Sequence, residues 1–549
     1  MLEKIKHINP KEITDLAQLQ NLMVVFMNVL ESQAKRIDDL DKENQALKNE
    51  INRLKGEHGD LPPSAPKSAV PKEEKPKKKP KKKNKNNKQG PKNQKIEIDN
   101  TVKCEIDKSV LPNDAKFHGY REVIQQDIIF KRNNTLFKIP LYYSKSERRL
   151  YCGELPAEYE GEFGGQLKSW IQVMHHYCDV TQGRLKKLMD NLKILISTGT
   201  ISNIILSNKE VMQAECREIL RAGLATIPFA QMDGTKSWEK GQGKSTQIIS
   251  TPWYSLYYTM NTKSKVDIIW ALQGKSGDSA PLCYNDLAIK LLIPSTVPKK
   301  DQRLIDQLLK QNQTYTLEQL EILLKKDAPH LLEKGSYPKM IEILALAYYL
   351  TQTEFPKVQD LICDAGPEYI GIAVNQGLCW LHEERHYKKL IPKLTVNQLE
   401  VDRVRGQIWD FYAKLLSFKE LPPEQQTLKK IVLSDEFDTI FTQTTIYDEL
   451  NNRIEKTFSK KERLLRVLDF PYLPLHNNCA ELAVRRKVRK RDISLHTMSQ
   501  KGTQVQDAFM SVVETAAKLG VNALDYLFDR ITNKYQMTSL ADLIRFNTI

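Results

Sequence analysis

The chain has 549 residues, 40% of them hydrophobic, and a formal net charge of +15; that length allows several domains, and the charge points to a polyanionic partner. No apolar run approaches the roughly 20 residues that span a bilayer, and the opening "MLEKIKHINPKEI" lacks a signal-peptide core, so no membrane partner is expected and the cytoplasm is the default compartment. Eight scattered cysteines without a CxxC pair argue against a disulfide framework and a closed zinc site.

In chain order, residues 1–55 come first. Leu16, Leu19, Met23, Phe26, Leu30, Gln33, Ile37, Leu40, Asn44, Leu47, Ile51 and Leu54 alternate at spacings of three and four. That spacing predicts a coiled-coil homodimer, with Asn44 where a lone buried Asn favours a parallel pair. The plainer reading is a long helix packed on its own chain. Residues 56–98 are Pro- and Lys-rich and read as a disordered linker. Within them, residues 71–95 carry twelve lysines against two glutamates, +10 of the total +15. The remaining surface is close to balanced, so any nucleic-acid surface must be local.

Residues 99–164 read as strand-rich, with a hairpin expected around Asn133-Asn134 in "DIIFKRNNTLFKIPLYYS". Residues 165–215 read as helical. There "TQGRLKKLMDNLKILISTGTISNIILS" has a break near Ser197–Gly199 and a second helix from Thr200, like a DNA-reading helix-turn-helix. The core is expected over 220–500. It opens with three strand-like segments, "LATIPFAQMDGT", "QIISTPWYSLYYTM" and "KVDIIWALQG", as an antiparallel meander. Helical insertions are expected at about 280–350 and 395–470, with a buried strand in "KVQDLICDAG" between them. Residues 501–549 are C-terminal helices, the final long one running over 505–519 and ended by Gly520. The fold class is α/β.

Two motifs are weighed and set aside. "GQGKST" (241–246) has Trp238 where a phosphate-binding loop needs its first glycine. "HEERH" (382–386) matches a zinc-peptidase helix, with His382 and His386 as ligands and Glu383 as base, but no third ligand follows. The more informative acids are Asp233 and Asp364. Each lies near the end of a core strand before a glycine that lets another group approach. Glu481 heads a later helix and precedes a run in which six of the seven residues from Arg485 to Arg491 are basic. Three acids converging on one sheet edge could hold Mg²⁺ through oxygen ligands.

The stretches "LPLHNNCAELAVRRKVRKRDI" and "SQKGTQVQDAFMSVVETAAKLGVNALDYLFDRI" resemble the end of transposases of the insertion-sequence sixty-six family, whose Asn-Asn-x-Ala-Glu signature carries the last acid of a DDE triad. "CWLHEERHY" is similar to that family's Cys-Trp-x-His-x-x-Arg segment. The resemblance implies an RNase H-like catalytic core with helical insertions, in which Asp233, Asp364 and Glu481 bind Mg²⁺ or Mn²⁺. It also implies strand cleavage and strand transfer at the ends of a mobile element. The partners would be terminal-repeat and target DNA, and small accessory proteins of the same element. Asn477 and Asn478 match the signature's asparagines, and Trp380, His382 and Arg385 the middle segment. The residues expected to face DNA are Asn477, Asn478, His382, Arg385, Arg485, Arg486, Lys487, Arg489, Lys490 and Arg491. Among them, Arg485 and Arg489 share Glu481's helix face.

The family's finger cysteines are missing after the zipper, where only Cys104 and Cys152 remain, so no zinc is expected. His476 replaces an acid of the signature. The long span between the aspartates leaves Asp278 and Asp360 as rivals of Asp364. The alternative function is a transposase-derived DNA-binding protein that no longer cuts; a zinc peptidase is the weaker rival.

Overall fold

The computed structural model describes residues 15–54, 97–99, 101–102, 125–126, 128, 131–155, 161–275 and 281–547. Most of the 56–98 linker, Cys104 and Asp278 lie outside these residues. Two compact units result. One comprises Met1–Lys35 with Asn134–Ile549, the other Arg36–Asn133.

Helix α1 (Leu16–Leu54) covers the heptad region. Its apolar stripe is exposed: Leu16, Leu19, Met23, Phe26, Leu30, Ile37, Leu40 and Leu47 all face outward. The polar face between these positions, up to Lys35, packs on the same chain. Asn28 Nδ2 donates to Ile446 O at 3.0 Å, and its Oδ1 accepts from Asp448 N. Glu31, 2% exposed, accepts from Lys393 N at 2.6 Å and Leu394 N at 3.0 Å. The plainer reading, a helix packed on its own chain, therefore describes the polar face up to Lys35, while the apolar stripe stays exposed.

Strands β1 (Leu141–Ser144) and β2 (Arg149–Cys152) form a hairpin. Its turn lies at residues 145–148, with Arg148 at φ 50°, not at the expected Asn133-Asn134. An Asn-Asn pair without glycine is a weak turn signal, and residues 131–140 are irregular. Three helices follow, α2 (Gly165–His176), α3 (Gln182–Asn191) and α4 (Thr198–Ile205). α4 starts two residues before the expected Thr200, because the Ser197 side chain caps it by accepting from Thr200 N. Ile201, Ile204 and Ile205 are buried against Ile171, Leu185 and Met189, and α4 carries no basic residue.

Helix α5 (Lys209–Thr226) leads into β3 (Phe229–Glu239), β4 (Gln242–Ser250) and β5 (Ser255–Met260). "GQGKST" is the turn and start of a hairpin, with Lys240 and Gly241 at positive φ. "KVDIIWALQG" is not a strand. It forms α6 (Lys265–Ala271), capped by Ser264, and is buried almost all round, so it lacks a readable period. Then come β6 (Leu282–Tyr284), α7 (Asp286–Leu292), α8 (Lys299–Leu308), β7 (Gln313–Tyr315), α9 (Leu317–Asp327), α10 (Tyr337–Thr351), β8 (Asp360–Cys363) and β9 (Asn375–Leu378). The five-stranded sheet is mixed, ordered β5-β4-β3-β8-β9, with β3, β8 and β9 parallel.

Helix α11 (Trp380–Lys388) opens the second insertion, α12 (Thr395–Lys419), α13 (Pro423–Phe441), α14 (Asp448–Phe458) and α15 (Lys461–Leu464), which has its own aromatic core around Trp380, Phe411 and Phe437. Glu31 thus supplies from α1 an acceptor at the N-terminus of α12 that the local sequence lacks. Glu31→Ala would strand two backbone donors. It is expected to cost about 1–3 kcal/mol in urea unfolding.

The chain closes with α16 (Asn478–Ser494), α17 (Gln500–Lys518), α18 (Ala523–Ile531) and α19 (Leu540–Asn547), so α17 is longer than the expected 505–519 helix and is not the last. α17 lies along edge strand β5. Asp507, Ser511 and Thr515, four residues apart, accept from Thr259, Tyr257 and Ser255 N–H groups two residues apart. A helix advances ~6 Å per four residues and a strand ~6.6 Å per two, so the two periods match and the sheet edge is covered.

Candidate active site

The β3–β8 register places the two aspartates together. Phe229, Ala230 and Gln231 pair with Asp360, Leu361 and Ile362, so the same register sets Asp233 level with Asp364, the residue after β8. Asp233 itself lies within β3, paired with Ile248, and not near a strand end as expected. Asp233 Oδ1 accepts from Gly234 N at 2.7 Å, and Asp364 Oδ1 from Gly366 N at 3.1 Å. Burial pushes the Asp233 carboxyl above its ordinary range, and the charge of Asp364 pushes the same way. Asp360, the rival acid, is 3% exposed and bound to Asn375 and Tyr472.

Glu481 reaches this edge through the asparagine signature. Asn477, fully buried, donates from Nδ2 to Met232 O at 2.7 Å, beside Asp233. Cys479 N donates to Gln231 Oε1 at 2.8 Å. The start of α16 is therefore fastened to β3 beside Asp233, and Glu481 follows Asn477 by one helical turn. Its Oε2 accepts from Arg385 Nη2 at 2.9 Å, and its Oε1 lies 3.7 Å from His382 Nδ1. His382 also lowers the Asp233 carboxyl electrostatically, which sets the imidazole near both acids. Asn477 is a fastener rather than a ligand-facing group; Asn478 is exposed.

Two residues of this cluster have no motif to announce them. Lys263, on the loop after β5, lies 2.7 Å from Glu368 and 3.8 Å from Asp364. Burial opposes its charge, but Glu368, Asp364 and Asp233 hold its ammonium above the ordinary range. Glu368 follows Asp364 within "CDAGPE", and only its position in the same loop could have drawn attention to it.

The basic run divides by face. Arg486 pairs with Asp179 and with Glu514 at 2.7 Å, Lys487 with Asp507 at 2.6 Å, and the Lys490 ammonium is fully buried on His175 O. These three are internal ties, contrary to the expectation that they face DNA. Arg491 donates to Lys236 O and stacks over Trp238. Arg485 and Arg489 are exposed on the Glu481 face.

The zinc-peptidase arrangement does not form. Glu383 is buried under Arg453, Lys460 and Thr457, which hold its carboxyl below the ordinary range against the effect of burial. His386 is exposed.

The donor set suits a divalent cation with oxygen ligands. Two carboxylates crowd one strand level, and Glu481 Oε1 is buried without a hydrogen-bond partner. Residues 361–505 match the family described as Transposase IS66 family. Over this segment the chain is similar to the IS66 transposase family. The matched segment contains Asp364, the His382–Arg385 turn and Glu481, whereas Asp233 precedes it. An uncharacterized protein, y4jO, of Sinorhizobium fredii is 28% identical over 322 residues, 57% of this chain and 94% of that protein. No solved structure matches. Among the described residues no helix is long and apolar enough to cross a membrane.

Proposed function

We propose that the chain is a DDE-type DNA transposase that cuts and joins DNA strands at the ends of a mobile element. The observation that carries this reading is the same level of Asp233 and Asp364 across the parallel β3–β8 pair, with Asn477 fastening the head of the Glu481 helix to β3 beside Asp233. The mixed sheet with helical insertions supports an RNase H-like core. Asp233, Asp364 and Glu481 would hold Mg²⁺ or Mn²⁺, which supplies an activated water and a stabilised leaving oxygen when bound. Lys263 and Arg385 balance the carboxylates' charge and can turn to phosphate oxygens when DNA enters. Arg485 and Arg489 hold the backbone next to the cut without reading bases.

The exposed heptad stripe of α1 supports a homodimer that brings two element ends together in the cytoplasm. Leu19→Lys with Leu30→Lys would convert that dimer to monomer in sedimentation.

The test is strand cleavage and joining on terminal-repeat DNA with Mg²⁺. Wild type should cut, and Glu481→Gln should not. A folded wild-type protein that binds this DNA but never cuts would favour the non-catalytic DNA-binding alternative.

A further inference from the structure

Beside the aspartate pair lies a second donor set of different chemistry. Cys379, 2% exposed, precedes the first turn of α11. Its Sγ accepts from Asn477 N at 3.2 Å, and the backbone N–H groups of Leu381 and His382 also donate to it. Burial, with the charge of Glu481, pushes the Cys379 thiol up in the metal-free protein despite these donors, which are placed to hold the sulfur once a cation takes the proton's place. His382, one turn on, returns its imidazole over Cys379, and Glu481 arrives from α16. The ligand atoms of the three residues lie within 4.8 Å of one another.

Two of these atoms, His382 Nδ1 and Glu481 Oε1, face each other at 3.7 Å, and both are buried without a hydrogen-bond partner. Buried polar atoms are seldom left unpaired, so two facing each other mark a place for a shared ligand. A tetrahedral ion bonded at ~2.3 Å to sulfur and ~2.0–2.2 Å to nitrogen and oxygen holds its ligands ~3.3–3.7 Å apart. A small contraction of the three side chains reaches that geometry.

We propose that Cys379, His382 and Glu481 form a binding site for a thiophilic divalent cation of the zinc class, distinct from the oxygen site between Asp233 and Asp364. Thiolate, imidazole and a single carboxylate favour Zn²⁺ or Co²⁺ over Mg²⁺, which prefers an all-oxygen shell. On binding, the Cys379 thiol gives its proton to solvent, while the imidazole enters neutral and the carboxylate ionised. The fourth position opens to solvent beside His382 and Arg385, whose side chains are 27% and 44% exposed. The expectation of no zinc rested on missing finger cysteines; here cysteine and glutamate come from distant parts of the chain. The site stands whether or not the protein cuts DNA. If Glu481 also serves the oxygen site, as proposed above, zinc here withdraws it and inhibits cleavage.

Metal-stripped full-length protein would be titrated with Co²⁺ in excess Mg²⁺. One equivalent should bind with a thiolate-to-cobalt charge-transfer band in the near ultraviolet, and Zn²⁺ should displace it. Cys379→Ser should abolish the band, and His382→Asn should weaken binding by at least about tenfold. Absence of the band in folded wild type overturns the proposal. So does an unchanged band in Cys379→Ser, which would put the ion on another cysteine. If Cys379→Ser does not fold, His382→Asn decides, because that partly exposed side chain is not part of the core; unchanged cobalt affinity there overturns the site.

Discussion

Asp233→Asn is expected to lower Mg²⁺-dependent strand cleavage by more than about 100-fold, because removing a direct metal ligand costs more than the ~10–100-fold typical of its outer-shell partners. The same change should raise the thermal midpoint of the metal-free protein. Burial and Asp364 hold the Asp233 carboxyl above its ordinary range. A carboxyl raised on folding weakens the fold as pH climbs from its ordinary range through the raised one. Asparagine keeps the acceptor for Gly234 N and removes the charge, so stability and activity should move in opposite directions. Cleavage within about tenfold of wild type would remove Asp233 from the metal site. An unchanged or lowered midpoint would show that the two acids do not strain the metal-free fold.

Acid should loosen the protein through a different pair. Burial, with repulsion from Lys490, pushes His175 down to about 4. Burial and the charges of His175, Lys490, Lys487 and Arg486 push His176 lower still. In the unfolded chain each titrates near 6.5. The unfolded state therefore takes up protons that the folded state refuses as pH falls from 6.5 to 4. Stability is complete above 6.5 and declines below it; His175 alone, falling from 6.5 to about 4, accounts for about 3 kcal/mol. The His176 ring stacks on Phe509 at 4.8 Å, and neither of its nitrogens has a hydrogen-bond partner. His176→Phe should accordingly be neutral or stabilising at pH 7.5 and should flatten the decline. Urea midpoints at pH 7.5, 6 and 5 would measure both effects, and an undiminished slope in the variant would exclude His176 as a source.

Much of the site is legible in the residues themselves. Glu481 stands out as the lone acid before a basic run, and the asparagine signature beside it turns out to be the fastening to β3. The pairing of Asp233 with Asp364 is not legible, because it depends on β8 joining β3 in parallel register after a long helical insertion. Lys263 and Glu368 enter only once that sheet is assembled. "KVDIIWALQG" misleads because a short helix buried on nearly every side shows the same run of apolar residues as a core strand. The basic run misleads for another reason. Arg486, Lys487 and Lys490 share one helix face, but the acids that neutralise two of them on that face, Glu514 and Asp507, lie on another helix, and Asp179 lies in a loop. Composition counts charges without counting their partners.

That division has a consequence for counterion release. Duplex binding loses ~0.9 in the slope of log affinity against log salt for each phosphate neutralised. Six free cations in the 485–491 run would contribute a slope of about 5, whereas Arg485 and Arg489 alone contribute about 2. Replacing both by Gln should flatten the salt dependence of DNA binding by about that smaller amount while the internal pairs stay intact. This helix should therefore grip DNA as a weakly charged surface, despite being the second most basic stretch of the chain.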